Sequence, residues 1–310
     1  MTNNAGPLRL GLIGAGPWGQ NYIRTIAGMT GLWLSRLASH NPESPALVGP
    51  ECEIDEDWRA LIDAADLDGI IIATPPATHA EMTLAAIDAG LPVLVEKPMT
   101  LDVVEAETIL ARAETTDSIV HVDHIHLYSA AWEALRQESR SLGAVNSITA
   151  ESGRWGPFLP DTPMLWDWGG HDVAMCIDLL GRVPDTEQAC RLETQDTDDG
   201  LGEVIAFGLG FGDITASIKV GNLFLEKKRL FAATFENGAL VYDDMIDDKL
   251  RQGPSAAEAT LAVPVGSGTP LERAVRRFAN AIAERRPDTD GARLGADVVR
   301  VLARLESSLR

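Results

Sequence analysis

Residues 14–19 read GAGPWG, a GxGxxG spacing directly after the apolar run Leu8–Ile13 and directly before a helical pattern that opens at Pro17. In that setting the three glycines serve three ends: Gly14 permits a tight turn, Gly16 lets a pyrophosphate approach the backbone, and Gly19 lets helix and strand pack closely. The phosphates would rest at the helix N-terminus, where unpaired amides and the helix dipole favour anions. Pro17 fits the first helical turn, which has no use for its missing donor, and Trp18 completes the turn. The competing reading is a glycine-rich loop without a ligand, but strand, glycines and helix are all in register, which favours dinucleotide binding. An NAD site would then carry Asp or Glu about twenty residues on, to meet the ribose 2′-hydroxyl. Here stand Ser39, His40 and Asn41, and the next acid is Glu43. These neutral donors do not oppose a 2′-phosphate, so NADP is favoured over NAD, although the Ser39 hydroxyl could also serve NAD.

A second constellation is MLWDWGGHDVAMCIDLLG, residues 164–181. Asp167 and His171 are four apart, so if the helix has begun by Asp167 they share a face and can hydrogen-bond. Such an acid selects the imidazole tautomer and stabilises the imidazolium. Gly169 and Gly170 leave the helix start open, and a helix cap beside a surface histidine is the alternative. The stretch HVDHIHLYS, residues 121–129, holds His121, His124 and His126. Their spacing does not bring all three to one helix face, so no metal site is expected.

The elements that must carry these residues follow from the hydrophobic pattern. Strands are expected at 8–13, 32–39, 69–74, 91–96 and 118–122, with helices near 17–30, 57–65, 78–90 and 101–114; this alternation implies a doubly wound parallel sheet. After residue 122 the pattern changes to a helix near 129–141, a strand at 145–151, a helix at 167–180 and closely spaced strand-like runs at 187–194, 203–210, 213–221, 229–236 and 239–243. Turn signals between them imply a mostly antiparallel sheet. Helices close the chain near 271–286 and 292–309, and the small, polar segment 251–260 reads as a mobile loop. The expected α/β fold is therefore an N-terminal Rossmann domain over 1–122 and a C-terminal α+β domain over 123–310. The latter has an open-faced sheet, and its last helix is free to pack back on the first domain. With one sheet face covered by its own helices, GEVIAFGLGF and DITASIKVG suggest pairing through the other, in a homodimer or homotetramer; a polar face that tolerates water is the alternative.

Composition narrows the partners. The 310 residues carry 26 basic and 46 acidic side chains, a net charge of −20, which disfavours nucleic-acid backbones and anionic membranes. Three scattered cysteines, Cys52, Cys176 and Cys190, show neither a disulfide framework nor zinc spacing and suit a reducing cytoplasm. The opening MTNNAGPLRL shows no export signal, and no run of apolar residues is long enough to span a membrane.

At IIIATPPATHAEMTLAAIDAGLPVLVEKPM, residues 70–99, the chain resembles the glucose-fructose oxidoreductase/inositol dehydrogenase/MocA family. GAGPWG, the Asp167/His171 pair and the closing DGARLGADVVRVLARLESSL extend the resemblance through nearly the whole length. It implies an NAD(P)-dependent oxidoreductase moving a hydride between nicotinamide and a secondary alcohol or carbonyl of a sugar, polyol or sugar derivative. Lys97 of EKP matches the acid/base lysine, with a cis bond implied before Pro98; outside that context it would read as a surface lysine at a strand end. His171 matches a second proton donor or acceptor, and Asp167 its partner. Glu96 matches a residue near the nicotinamide ribose, or is a solvated carboxylate. His79 matches a position near the nicotinamide, or is a helix-start histidine with a structural bond. Thr74 and Pro75 would line the nicotinamide pocket. Arg154 and Trp155, after a strand, could hold a sugar by bidentate bonding and stacking, while core packing is the ordinary fate of the tryptophans. Asp172 could touch a substrate hydroxyl, with a solvated first-turn acid as the safer assignment. Ile125 and His126 depart from the Asn or Arg common in relatives. The family also includes regulatory proteins that bind the dinucleotide without turnover, a reading that the retention of Lys97, Asp167 and His171 opposes.

Overall fold

The structure, a computed structural model, describes residues 6–159 and 162–309. The first five residues of the opening segment considered above lie outside the described residues. Contacts divide the chain into two compact units, one running to Asp123 and taking in Leu271–Ala296, the other comprising His124–Pro270 and the chain from Asp297.

The first unit contains β1 (Leu8–Ile13), α1 (Pro17–Ala27), β2 (Leu32–Ala38), α2 (Ser44–Leu47), β3 (Glu53–Asp55), α3 (Arg59–Ile62), β4 (Gly69–Ile72), α4 (His79–Asp88), β5 (Val93–Glu96), α5 (Val103–Thr115) and β6 (Val120–Asp123). Its six strands lie in the order β3-β2-β1-β4-β5-β6, all parallel. That is the order of a doubly wound dinucleotide-binding sheet, with the switch point between β1 and β4. Every residue of β4, β5 and β6 is buried, as expected of strands covered on both faces. Such strands read as unbroken apolar runs, and here they end in the polar residues Glu96 and Asp123. The helix expected over 57–65 shrinks to α3, and the unforeseen β3 precedes it: three residues with an exposed pattern give little periodic signal. At the other edge of the sheet, Ile119 bridges Asp288, and His121 bonds the Asp288 carboxylate at 3.0 Å.

The second unit contains α6 (Ala130–Ser139), β7 (Val145–Trp155), α7 (Gly170–Leu180), β8 (Thr186–Thr197), β9 (Gly200–Phe211), β10 (Ile214–Gly221), β11 (Leu223–Phe235), β12 (Gly238–Asp243), β13 (Leu250–Gly253) and β14 (Leu261–Ala262). The chain then forms α8 (Pro270–Glu284) and α9 (Asp290–Ser308). The eight strands lie in the order β14-β13-β12-β11-β7-β10-β9-β8, antiparallel except for β7 beside β10. One face buries Ile148, Phe207, Leu209, Ile218 and Phe231, while Thr149, Thr215 and Ser217 are exposed on the other.

Several expectations are corrected here. Part of the supposed mobile loop 251–260 is β13, which pairs with β12 through backbone bonds that composition cannot reveal. β7 runs on to residue 155, so Arg154 and Trp155 end the strand rather than follow it. The helix expected from Asp167 starts as a π-helical turn over Leu165–Gly169 and becomes α-helical only at Gly170.

Candidate functional site

The end of β1 brings Gly14 to a backbone crossing. Its φ is +102°, and a Cβ there would lie 2.4 Å from the Ala73 carbonyl oxygen just past β4. A Cβ on Gly19 would lie 2.0 Å from the Gly14 carbonyl oxygen, so α1 rests directly on the turn. Gly16, by contrast, has nothing within 4 Å of such a Cβ. Two glycines thus allow backbone to touch backbone, and the middle one faces open space at the start of a helix. That is the arrangement a pyrophosphate needs.

Beside the turn is a cavity of about 410 Å³ whose lining includes Gly14, Gly16, Ser39, His40, Asn41, Thr74 and Pro75. Asn41 ties its two walls together, donating from Nδ2 to the Ala15 carbonyl at 3.1 Å and from its backbone amide to Ser39 Oγ at 3.0 Å. Pro17 takes the first helical position, and Trp18 is 40% exposed beside it. The cradle and this lining fit the phosphate and ribose portions of a dinucleotide. Sequence reasoning missed Glu56 and Trp58, which also line the cavity. They follow β3, the short strand that the pattern did not reveal.

His79 is buried, with Nδ1 2.8 Å from the Pro98 carbonyl and Nε2 2.8 Å from the Thr74 carbonyl. It thereby fastens the end of β4 to the loop after β5. Burial holds the imidazole below its usual pKa, aided by the charge of Lys97 and opposed by the two carbonyls. Lys97 is half-buried at the end of β5, and the Lys97–Pro98 bond is cis.

Glu96 is not a solvated carboxylate: it is 7% exposed and lies beside Asp123, its register partner on β6. The Tyr22 hydroxyl, one helical turn beyond Gly19, reaches Glu96 Oε1 at 2.9 Å and Asp123 Oδ2 at 2.6 Å. The backbone amide of Lys97 donates to Glu96 Oε2 at 3.2 Å. Burial pushes both carboxyls up, Asp123 to about 6, and the charge of Asp123 raises Glu96 further. Tyr22 and Asp123 were absent from the sequence reading, whose fifth strand stopped at 122. The available clues were a tyrosine on the inward face of α1 and an acid closing a buried strand.

In the second unit, Asp167 lies in the π-helical turn and lines a cavity of about 540 Å³ together with Trp168, Arg191 and Glu203. His171 is not in that lining; its ring meets the His126 ring edge-on at 4.8 Å, and His126 Nδ1 lies 3.3 Å from the Tyr242 hydroxyl. Asp172 is fully buried, so the solvated first-turn assignment is wrong: Ser152 Oγ donates to it at 2.7 Å and Arg229 pairs with it at 3.1 Å. Burial raises its pKa against the pull of those two partners. Arg154 is exposed, and Trp155, 48% exposed, packs against Phe158 at the surface rather than in the core. Trp166 is buried as expected. Of the three histidines read for metal spacing, His121 is held by Asp288 and His126 by the contacts above; among the described residues no cluster of metal-ligating side chains occurs.

A doubly wound sheet with an open glycine cradle at its switch point defines a Rossmann dinucleotide-binding unit. A family model described as an oxidoreductase family with an NAD-binding Rossmann fold matches residues 8–124. A solved structure of a candidate oxidoreductase from Magnetospirillum magnetotacticum MS-1 is 46% identical, with a TM-score of 0.92, over 97% of this chain and 100% of its own. The UDP-N-acetylglucosamine 3-dehydrogenase of Acidithiobacillus ferrooxidans is 31% identical over 182 residues, 57% of this chain and 56% of that protein. A structure of the enzyme of that name gives a TM-score of 0.82 at 25% identity, over 98% of this chain and 99% of that one. An inositol 2-dehydrogenase of Klebsiella pneumoniae is 34% identical over 136 residues, 42% of this chain and 40% of that protein. The matched stretches thus span about half or less of these curated relatives. The chain belongs to the glucose-fructose oxidoreductase/inositol dehydrogenase/MocA family.

The glycine geometry separates two substitutions. Gly19→Ala should lower stability by about 2 kcal/mol, because a Cβ is driven into backbone. Gly16→Ala should leave the melting temperature nearly unchanged yet weaken dinucleotide binding roughly tenfold, or about 1.4 kcal/mol. Thermal melts and fluorescence titrations of both variants check this pairing.

Proposed function

We propose that the protein is an NAD(P)-dependent dehydrogenase or reductase acting on a secondary alcohol, or the matching carbonyl, of a sugar, polyol or sugar derivative. The observation that carries this reading is Lys97 at the carboxyl end of β5, on the sheet edge that also holds the glycine cradle and the buried carboxyls. Ligands of doubly wound sheets bind at that edge. The relatives named as dehydrogenases of inositol and of a nucleotide sugar support the substrate class.

A bound nicotinamide would supply the hydride acceptor or donor. The chain's own task is then to bind the phosphates at Gly14, Gly16 and Gly19, meet the ribose with Ser39, His40 and Asn41, and move one proton as alcohol and carbonyl interconvert. Lys97 Nζ is the assigned proton carrier. His171 is the second assigned acid/base group, with Asp167 as its orienting partner. Between the dinucleotides, the reading favours NADP, since Ser39, His40 and Asn41 put no carboxylate at the strand end; Glu56, on the same cavity, is the charge acting against it. The reading also assigns the protein to the cytoplasm, supported by the free cysteines among the described residues. No helix among those residues is long and apolar enough to cross a membrane. It further includes a homodimer or homotetramer formed through the second unit's sheet, whose outer face exposes the short side chains Thr149, Thr215 and Ser217.

Lys97→Met and His171→Asn should each keep the fold and dinucleotide binding while lowering turnover by roughly two to four decades. An unchanged rate in Lys97→Met, measured over a panel of polyols and sugars, would contradict the assignment. For the cofactor, NADP(H) should bind more tightly than NAD(H), and Ser39→Asp should reverse the order through repulsion of the 2′-phosphate; equal affinities in the parent would remove the preference. Light scattering at micromolar concentration should return a dimer or tetramer, and a monomeric mass would rule out the assembly.

A further inference from the structure

The register of β5 and β6 sets Glu96 directly beside Asp123, and adjacent strands are only about 4.8 Å apart. Both carboxyls are buried. The Tyr22 hydroxyl sits on the pair at 2.9 and 2.6 Å. The Lys97 amide donates to Glu96 Oε2; across the two Tyr22 contacts, however, ionised carboxylates have only acceptors and the phenol has one hydrogen. A single O–H cannot fully satisfy two carboxylates, and two buried like charges at this separation repel strongly. One further proton on either carboxyl supplies the missing donor and removes the second charge. The phenol itself keeps its proton, because burial and then the two carboxyls push Tyr22 well above its ordinary pKa.

We infer that Glu96 and Asp123 share one proton beneath the Tyr22 hydroxyl, so that the cluster presents a single negative charge to Lys97 and sets that amine's protonation. The functional part of this statement rests on the reading of Lys97 as the acid/base group; the shared proton does not. The titratable groups around the pair are Lys97, which follows Glu96, and His79, which reaches the same loop through the Pro98 carbonyl and whose charged form burial disfavours. His124 follows Asp123 in the chain. The Lys97 charge acts on both carboxyls and favours their ionised form. That attraction stabilises one negative charge, whereas a second would meet its like. Tyr22, Glu96 and Asp123 are thus positioning residues for Lys97. They belong to one titrating unit, in which protons leave the pair as a whole rather than from a designated residue.

Infrared difference spectroscopy on the dinucleotide-free protein tests the shared proton. At neutral pH the parent should show a protonated-carboxyl stretch that both Asp123→Asn and Glu96→Gln abolish, since either change frees the remaining carboxyl to ionise. Tyr22→Phe should shift the band by removing its hydrogen bond. Absence of the band in the parent, or its persistence in both single variants, would overturn the inference. Nitrogen-detected NMR of the Lys97 amine tests the coupling. The double variant Glu96→Gln/Asp123→Asn removes the single negative charge, so the Lys97 pKa should fall by roughly one pH unit. Either single variant retains one charge and should move it less. If the band behaves as stated but the Lys97 pKa in the double variant equals that of the parent, the proton is shared without governing Lys97, and the inference fails in its functional part. An unchanged turnover rate in Lys97→Met would instead refute the proposed function while leaving the infrared result standing.

Discussion

At one point in the first unit, three pieces of backbone meet with no side chain between them. The end of β1, the residue after β4 and the first turn of α1 approach so closely that a single Cβ on Gly14 or Gly19 would collide with a carbonyl oxygen. This contact fixes the helix against the sheet at the switch point and leaves Gly16 facing outward. The same contact decides where the rest of α1 goes. Tyr22, one turn along the helix face that buries Gly19, Ile23 and Ile26, is thereby carried to the ends of β5 and β6. Phosphate cradle and carboxyl cluster are consequences of one packing constraint, because the helix that starts at the first ends its inward turn on the second.

The carboxyl cluster departs from the usual rule that buried charges are paired with opposite charges. Glu96 and Asp123 are instead neighbouring acids, made tolerable by a phenol above them, an amine after them in the chain and the proton they share. Buried groups with displaced pKa values are characteristic of functional sites, where stability is given up for a protonation state that solvent would not allow. The second unit contrasts with this. Asp172 there is equally buried but meets Arg229 and Ser152, an arrangement of opposite charges that anchors α7 to the sheet. Two buried acids in one chain therefore have different physical meanings, one in an ion pair that holds a helix and the other in a pair that holds a proton.

How far the sequence could be read follows from the range of the interactions. The parallel sheet was legible because GIII, VLV and the glycine turn are local signals, and strands buried on both faces leave continuous apolar runs. EKP and its flanking strand made Lys97 legible through resemblance. The Tyr22 cluster was not, since its members come from three elements and meet only once the strand order is known. Asp172 misled for a related reason: an acid in the first turn of a helix normally faces water, and its partner Arg229 lies 57 residues further on. Glu56 and Trp58 were hidden behind a three-residue strand with no periodicity to detect, and β13 was hidden in a segment whose small polar residues resemble a loop. At Leu165–Gly169, the glycines that made the helix start uncertain coincide with a π-helical turn, a geometry that residue spacing alone does not specify.

The account stands most directly on where a dinucleotide binds. A crystal structure of the protein grown with NADP tests this in one measurement. The account predicts the pyrophosphate against the backbone at Gly16 and the first turn of α1, the adenosine ribose against Ser39 and Asn41, and the nicotinamide beside Lys97. A dinucleotide bound away from the glycine turn, or one whose nicotinamide lies away from Lys97, would contradict it.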